Sequence, residues 1–316
     1  MGTYHLRALA APRGIARVFA YSAWSIAWFV APAAIDKLKR LNPRIREISF
    51  RAFHTHERFR SHLFPKRKMK ILFSRKEGWE KPIKDGFFDT PHEIAFEDFT
   101  PHNIKDYDLI VPLTLRDLKY LSKVRNLISD NPIPIPSMES ILLCHDKYLL
   151  NQSLAANGFG PFIPKIGRPL TYPYILKKRI DEGGRNSHVI PDKRQEQILL
   201  GTLTDSEYFF QDLIKGPYEY ATHILFKSQR IMHSLNLEYK FNTETPIKGK
   251  DKPIYTMICH CPYLDVFASM LTSIGFDGLC CVNYKVSDNH LFLLEINPRF
   301  GGSLSNYFFS FIRHTA

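Results

Sequence analysis

The sequence predicts a mixed architecture, a small α/β unit followed by an α+β unit, behind a basic and partly hydrophobic N-terminal extension. Three observations carry that expectation. Short apolar runs alternate with loops between residues 69 and 136, as in a small doubly wound sheet. From residue 137 onward, a helical stretch gives way to strand-like runs separated by glycine and proline turns. The charge is also uneven: residues 1–68 hold 14 Lys and Arg against 3 Asp and Glu, whereas the rest of the chain holds 29 against 28. The formal charge of +12 therefore belongs almost wholly to the extension, and the body is balanced. At 316 residues and 44% hydrophobic content, the chain can build two or three packed units.

Within the extension, the uncharged run Val18 to Ile35 is flanked by Arg7, Arg13 and Arg17 on one side and Lys37, Lys39 and Arg40 on the other. It is short for a spanning helix and is interrupted by Ser22, Ser25 and Pro32. Two readings stay open: an interfacial helix or shallow anchor that gives residues 1–68 a membrane-surface contact, or a docking helix that packs Trp24 and Trp28 on the body. A signal peptide is disfavoured because positive charge continues past the run. Nucleic acid is not the expected partner, since the aromatics sit inside the uncharged run instead of alternating with Arg and Lys. The odd set Cys144, Cys259, Cys261, Cys280 and Cys281 forms no spaced framework, which points to a reducing, cytoplasmic setting. Cys259-His260-Cys261 lacks a second pair at zinc-finger spacing.

In the body, Met69 to Ser74 reads as a first strand, with Glu93 to Phe96 and Leu109 to Val111 after it. Ser140 to Ala156 carries Ile141, Leu142, Leu149, Leu150 and Leu154 at helical spacing, which places Asp146 and Lys147 in mid-helix, and Asn157-Gly158 stops it. Turns at Pro161, Pro164, Pro169 and Pro173 lead into a strand at Tyr174 to Lys178. The loop Asp181 to Ser187, with Gly183 and Gly184, can bring backbone amides against phosphate oxygens, although the same composition also makes an ordinary hairpin turn. Tyr208 to Asp212 reads as a further strand, and a second acid, Glu219, follows seven residues after Asp212. Cys280 and Cys281 lie in an apolar strand; His223 and His233 are lone histidines of the kind that is more often structural than catalytic.

Near the C-terminus, the apolar run Leu291 to Leu294 ends in Glu295-Ile296-Asn297-Pro298-Arg299-Phe300-Gly301-Gly302-Ser303. Side chains alternate along a strand, so Glu295 and Asn297 share a face and can meet one magnesium ion. Magnesium takes one or two hard oxygens from protein and leaves the rest to phosphate and water. Arg299, next on that face, can hold a phosphate or carboxylate bidentately.

Taken in order, the helix with Lys147, the strand lysine Lys177, the glycine loop, Gln211-Asp212-x-Ile214-x-Gly216-x-x-Glu219 and Glu295-x-Asn297-Pro298-Arg299 resemble the ATP-grasp superfamily over roughly residues 140–305. The Glu-Ile-Asn-Pro-Arg and Gly-Gly-Ser stretch is most similar to its carbamoyl-phosphate synthase, biotin carboxylase and amino-acid ligase branch. The resemblance implies an ATP-grasp domain at 137–316, two α+β subdomains clasping ATP with a lid at about 166–212, after a Rossmann-like domain at 69–136. It puts Lys147 and Lys177 on the nucleotide phosphates, with Lys178 or Arg179 as alternatives to Lys177. Gly183, Gly184 and Ser187 would cover the phosphates, and Gln211, Asp212 and the backbone of Leu213 and Ile214 would line the adenine pocket, unless Asp212 is merely a strand-end acid. Glu219 would take the ribose hydroxyls, Glu295 and Asn297 would hold Mg2+ (with Mn2+ as an alternative), and Arg299 would be the catalytic residue facing the acyl group or transferring phosphate.

Two departures stand out. Most members carry Glu or Asp about a dozen residues before the Glu of Glu-x-Asn; here that metal-ligand position is Asn283, with Asp277 as a fallback. Asp212 also stands where Glu is usual. The function implied is an ATP-dependent ligase that joins a small-molecule carboxylate to an amine or thiol through an acyl phosphate, and a homo-oligomer is compatible with it. The alternative is a catalytically weak nucleotide-binding protein tethered through residues 1–68 to a membrane or an acidic partner.

Overall fold

The structure is a computed structural model that describes residues 32–63, 68–167 and 171–315. The expected run Val18 to Ile35 lies outside the described residues as far as residue 31, and Pro169 likewise. Among the described residues, no helix is long and apolar enough to cross a membrane. The chain divides into two compact units: the first runs to Leu113 and takes in Asp130–Pro132 and the residues from Gly302, and the second is Thr114–Ser129 with Ile133–Gly301.

In the first unit, α1 (Pro32–Leu41) and α2 (Pro43–Leu63) meet at a corner where Arg46 donates to the Lys39 carbonyl at 2.8 Å. A parallel sheet follows, in the order β2 (Glu93–Phe96), β1 (Lys70–Phe73), β3 (Leu109–Val111), with α3 (Glu80–Phe87) in the β1–β2 connection. Ile71, Leu72 and Phe73 are fully buried, as a central parallel strand requires. Phe73 packs on Phe87, Phe96 and Phe308. Arg313 pairs with the buried Glu57 at 2.9 Å, so the chain's last described turn is bound to α2.

The second unit opens with α4 (Leu115–Lys123), capped by Thr114, and then α5 (Met138–His145) and α6 (Lys147–Leu154). The single helix expected from Ser140 to Ala156 is therefore two helices. Asp146 is extended (φ −93°, ψ 101°) and caps α6 by accepting from the backbone N–H groups of Tyr148 and Leu149. Its other oxygen accepts from Arg179 at 2.6 Å, a partner 33 residues away. The break puts Lys147 at the first position of α6 instead of mid-helix, and it leaves Leu142 and Leu149 exposed. Gly158, at φ +90°, ends the helical segment as expected.

Two antiparallel sheets complete this unit. The smaller runs β5 (His188–Ile190), β4 (Tyr174–Lys178), β6 (Tyr208–Asp212), with Tyr174, Leu176 and Ile190 in its core and α7 (Lys193–Ile198) between β5 and β6 in sequence. The larger is five-stranded, in the order β11 (His290–Asn297), β10 (Gly278–Ser287), β7 (Tyr218–Lys227), β8 (Arg230–Lys240), β9 (Tyr255–Cys259). One face of it packs on α8 (Leu264–Ser273) and the α5–α6 region through Ile224, Phe226, Cys280, Val282, Tyr284, Leu291 and Leu293.

A bulge decides what the other face carries. Asn283 pairs with Glu295, but its neighbour Tyr284 pairs with Leu293, so Leu294 is an extra residue in β11. Before it, the odd residues Leu291 and Leu293 enter the core; after it, Ile296 does. Without the bulge, Glu295 and Asn297 would continue the buried odd series, because strand side chains alternate strictly. With Asp146→Ala, the loss of the α6 cap and of the Arg179 partner should lower unfolding free energy by about 1–2 kcal/mol, measured by urea denaturation against the parent chain.

Candidate functional site

The face of the five-stranded sheet opposite its core is built from odd-numbered residues of β7 and β10, Tyr239 of β8, and the post-bulge residues of β11. Across the strands, Glu219 pairs with Tyr239, Asn283 lies between Ala221 and Glu295, and Cys281 lies between His223 and Asn297. Glu219, Asn283, Glu295 and Asn297 thus share one floor. Ala221 is small and fully buried at its centre.

Glu295 organises the floor. Its Oε1 accepts from Asn283 Nδ2 at 2.7 Å and Asn297 Nδ2 at 2.8 Å, and its Oε2 lies 3.4 Å from Lys147 Nζ. Burial alone would raise its pKa, but Lys147, the two amide donors and Lys177 more than offset this and hold it at about 2. It is a fixed anion at neutral pH. Glu219 shifts the other way: burial raises its pKa while Lys248 and Lys285 oppose. Lys177 is pushed down to about 8 by burial and by Lys147, against the pull of Glu295 and Glu219.

Lys178 and Arg179 take different partners. Lys178 pairs with Glu207 at 2.9 Å and Arg179 with Asp146, so of the three neighbouring cations Lys177 is the one in the field of Glu295 and Glu219. The glycine loop reaches the same place. Lys147 donates to the Asp181 carbonyl, Arg299 pairs with Glu182 at 3.1 Å, and Gly183 and Gly184 hold φ of +71° and +68° between them and Ser187. A pocket at this point is lined by Lys147, Asp181, Glu182, Glu295, Asn297 and Arg299, with His145, Cys144, Leu115 and Pro298 at its edge. Its polar wall suits charged oxygen atoms better than an aromatic base.

The remaining expected residues lie along the strand edge and its loop. Gln211 is fully buried and donates to the Pro164 carbonyl at 3.3 Å, while its Oε1 has no protein partner among the described residues. A buried acceptor left in that state invites a donor from outside the chain. Asp212 ends β6, its N–H bonded to the Lys165 carbonyl. The Ile214 carbonyl accepts from Lys285 Nζ at 3.0 Å, as does that of Gly216, and Leu213 lies half-buried between Asp212 and Ile214. Ser187 is buried and its carbonyl accepts from Lys250 at 2.6 Å. The fallback ligand Asp277 is elsewhere: it accepts from the Ser228 N–H at 3.1 Å at the far end of β10.

Two residues of the site were missed by sequence reasoning. Lys248, in the segment between β8 and β9, donates to Asn283 Oδ1 at 3.1 Å, lies 3.7 Å from Glu219 Oε1, and sits 4.1 Å from the Tyr239 ring centroid. Lys285 on β10 anchors the backbone that leads into Glu219. Its place on the same face as Asn283 was available from strand alternation, whereas Lys248 has no motif around it. Of the two lone histidines, His223 is fully buried beneath Gly301, its pKa driven down to about 3 by burial and Lys248, and His233 lies further along β8. All five cysteines are buried, and none of them forms a disulfide.

The sheet face thus carries a fixed carboxylate, two amides and a ring of lysines, and residues of the glycine loop of the smaller sheet reach it. The ATP-grasp domain family matches residues 144–303, and the chain belongs to the ATP-grasp family. Solved structures agree on the fold. A D-alanine–D-alanine ligase from Bacillus anthracis is 14% identical, with 76% of this chain and 89% of that one covered at a TM-score of 0.51. An L-amino acid ligase from Bacillus licheniformis is 12% identical over 77% and 70%, at 0.52. N5-carboxyaminoimidazole synthetase from Staphylococcus aureus, complexed with ADP, is 14% identical over 76% and 73%, also at 0.52. No curated protein matches the chain.

The floor is close-packed under Gly301. A Cβ there would stand 2.6 Å from His223 Cε1 and 3.2 Å from Cys281 Cβ. Gly301→Ala should therefore destabilise the protein by about 1–3 kcal/mol through overpacking, read as a lowered denaturation midpoint.

Proposed function

We propose that the chain is an ATP-dependent ligase that activates a small-molecule carboxylate as an acyl phosphate and passes the acyl group to an amine or a thiol. The observation that carries the reading is the pairing of ionised Glu295 with Asn297 on a floor ringed by Lys147, Lys177 and Arg299. In that arrangement Lys147 and Lys177 neutralise nucleotide phosphates, and Glu219 accepts the ribose hydroxyls. Gln211 Oε1 takes the adenine amino group, which would satisfy its open acceptor. Asp212, Leu213 and Ile214 border that pocket, and Gly183, Gly184 and Ser187 cover the phosphates.

Glu295 and Asn297 offer hard oxygens two residues apart, which fits one magnesium ion held mainly by phosphate and water, with manganese as a substitute. Such an ion polarises the transferring phosphoryl group and offsets its charge. Arg299 exchanges Glu182 for the substrate carboxylate or the transferring phosphate. A substrate carboxylate oxygen then attacks the γ-phosphorus and ADP leaves; the incoming nucleophile attacks the acyl carbon and phosphate leaves. Closure of the glycine loop protects the acyl phosphate from water.

A second reading, nucleotide binding without turnover, is favoured by Asn283, which supplies no negative charge where an acid is usual. The free cysteines support a cytoplasmic setting. Leu38, Leu41 and Ile48, exposed on α1 and α2 near Arg40 and Arg44, support a membrane-surface contact by the N-terminal region.

ADP release by the full chain with magnesium, assayed across pools of amino acids and other carboxylates, tests the ligase. Release that requires one pool and falls about 100-fold or more in Glu295→Ala is the expected outcome; binding without turnover in every pool selects the second reading. Lys177 adds a pH signature. It is cationic below about 8 and neutral above, so ADP affinity should fall as pH rises through that value, and binding there should take up a proton. Calorimetry in buffers of different ionisation enthalpy measures the uptake, which Lys177→Met should abolish.

A further inference from the structure

We propose that Lys248 stands in for a divalent cation at the Asn283 corner of the site, so that this chain binds nucleotide phosphates with a substantial metal-independent component. The inference rests on the nucleotide reading of the site and adds what sets its metal requirement. Asn283 faces Glu295 directly across the β10–β11 ladder, and both its amide nitrogen and its amide oxygen have partners. Nδ2 donates to Glu295 Oε1 at 2.7 Å, which turns Oδ1 away from Glu295 and toward Lys248 Nζ, 3.1 Å off. The side-chain oxygen that Asn283 could give a metal is therefore the one that the ammonium holds.

The ammonium is held from other sides as well. It lies 3.7 Å from Glu219 Oε1 and 4.1 Å from the Tyr239 ring centroid, and its side chain is 28% exposed. The segment that carries it is braced. Asp251 accepts from the Ile247 N–H at 2.7 Å, and Lys250 donates to the Ser187 carbonyl at 2.6 Å.

Charge and geometry then agree. A carboxylate at position 283 would favour a divalent ion beside it; an amide bonded to an ammonium repels one, because two cations would share a single neutral acceptor. The same ammonium is a donor for phosphate oxygen. Lys248 bonds Asn283 and not Asn297, so the proposal reduces the metal requirement at the Asn283 corner and leaves Glu295 and Asn297 as the pair that would hold a metal.

The test is calorimetric titration of the full chain with ADP, in excess EDTA and in excess magnesium, for the parent, Lys248→Met, Lys248→Arg and Asn283→Asp. Manganese bound in the presence of ADP is counted by electron paramagnetic resonance. The parent should bind ADP in EDTA within about tenfold of its affinity in magnesium. Lys248→Met should lose about tenfold or more in EDTA and clearly less in magnesium, with Lys248→Arg retaining EDTA binding. Asn283→Asp should raise manganese affinity. Binding by the parent only with metal, or an equal loss in both conditions for Lys248→Met, overturns the proposal while leaving a nucleotide site. No ADP binding in either condition overturns the nucleotide reading itself.

Discussion

The extra residue in β11 is the constraint on which the site depends. A strand offers its side chains to two faces in strict alternation, and the run Leu291 to Leu293 commits one of them to the core. Glu295 and Asn297 have the same parity as those leucines, so they reach solvent only because Leu294 is unpaired and the phase inverts. β10 keeps its phase, and for that reason Asn283 on it meets Glu295 on the same face. The bulge thus turns the strand's odd-numbered side chains from the core face to the opposite face within two residues.

On that floor, electrostatics follow from a surplus of cations. Two carboxylates, Glu219 and Glu295, are set among Lys147, Lys177, Lys248 and Lys285, and the opposite pKa shifts of the two acids report how that charge is shared. Glu295 is surrounded by direct donors and is held ionised; Glu219 has only a longer contact to Lys248, and burial prevails. Such a surface has an unmet need for negative charge. That charge balance is what the proposed nucleotide reading draws on, and the chain belongs to the ATP-grasp family.

Much of this was legible in the sequence, and the residues that were not have a common reason. The strands at Tyr174–Lys178 and Tyr208–Asp212, the parallel first sheet and the pairing of Glu295 with Asn297 on one face all follow from local alternation and turn residues. The helix break at Asp146 was hidden because apolar spacing runs through it without interruption; what breaks the helix is a cap reinforced by Arg179, whose position only the folded chain supplies. The bulge was hidden because register is a property of two strands. Lys248 was hidden among Lys240, Lys250 and Lys252 in a stretch without periodicity, and only its tertiary contacts distinguish it.

The glycine loop has a consequence for how anything enters. Lys147 is bonded to the Asp181 carbonyl and Arg299 to the Glu182 carboxylate, so two adjacent loop residues partner two cations of the site. Entry of an anion is then an exchange reaction and not a simple addition. Each apparent affinity would then be a difference between the incoming ligand and the loop it displaces, and a small carboxylate would meet in Glu182 a tethered rival of its own chemical type. On the proposed reading, a larger anion that engages both cations at once would displace both loop contacts in a single event, which would favour ligands that span the site.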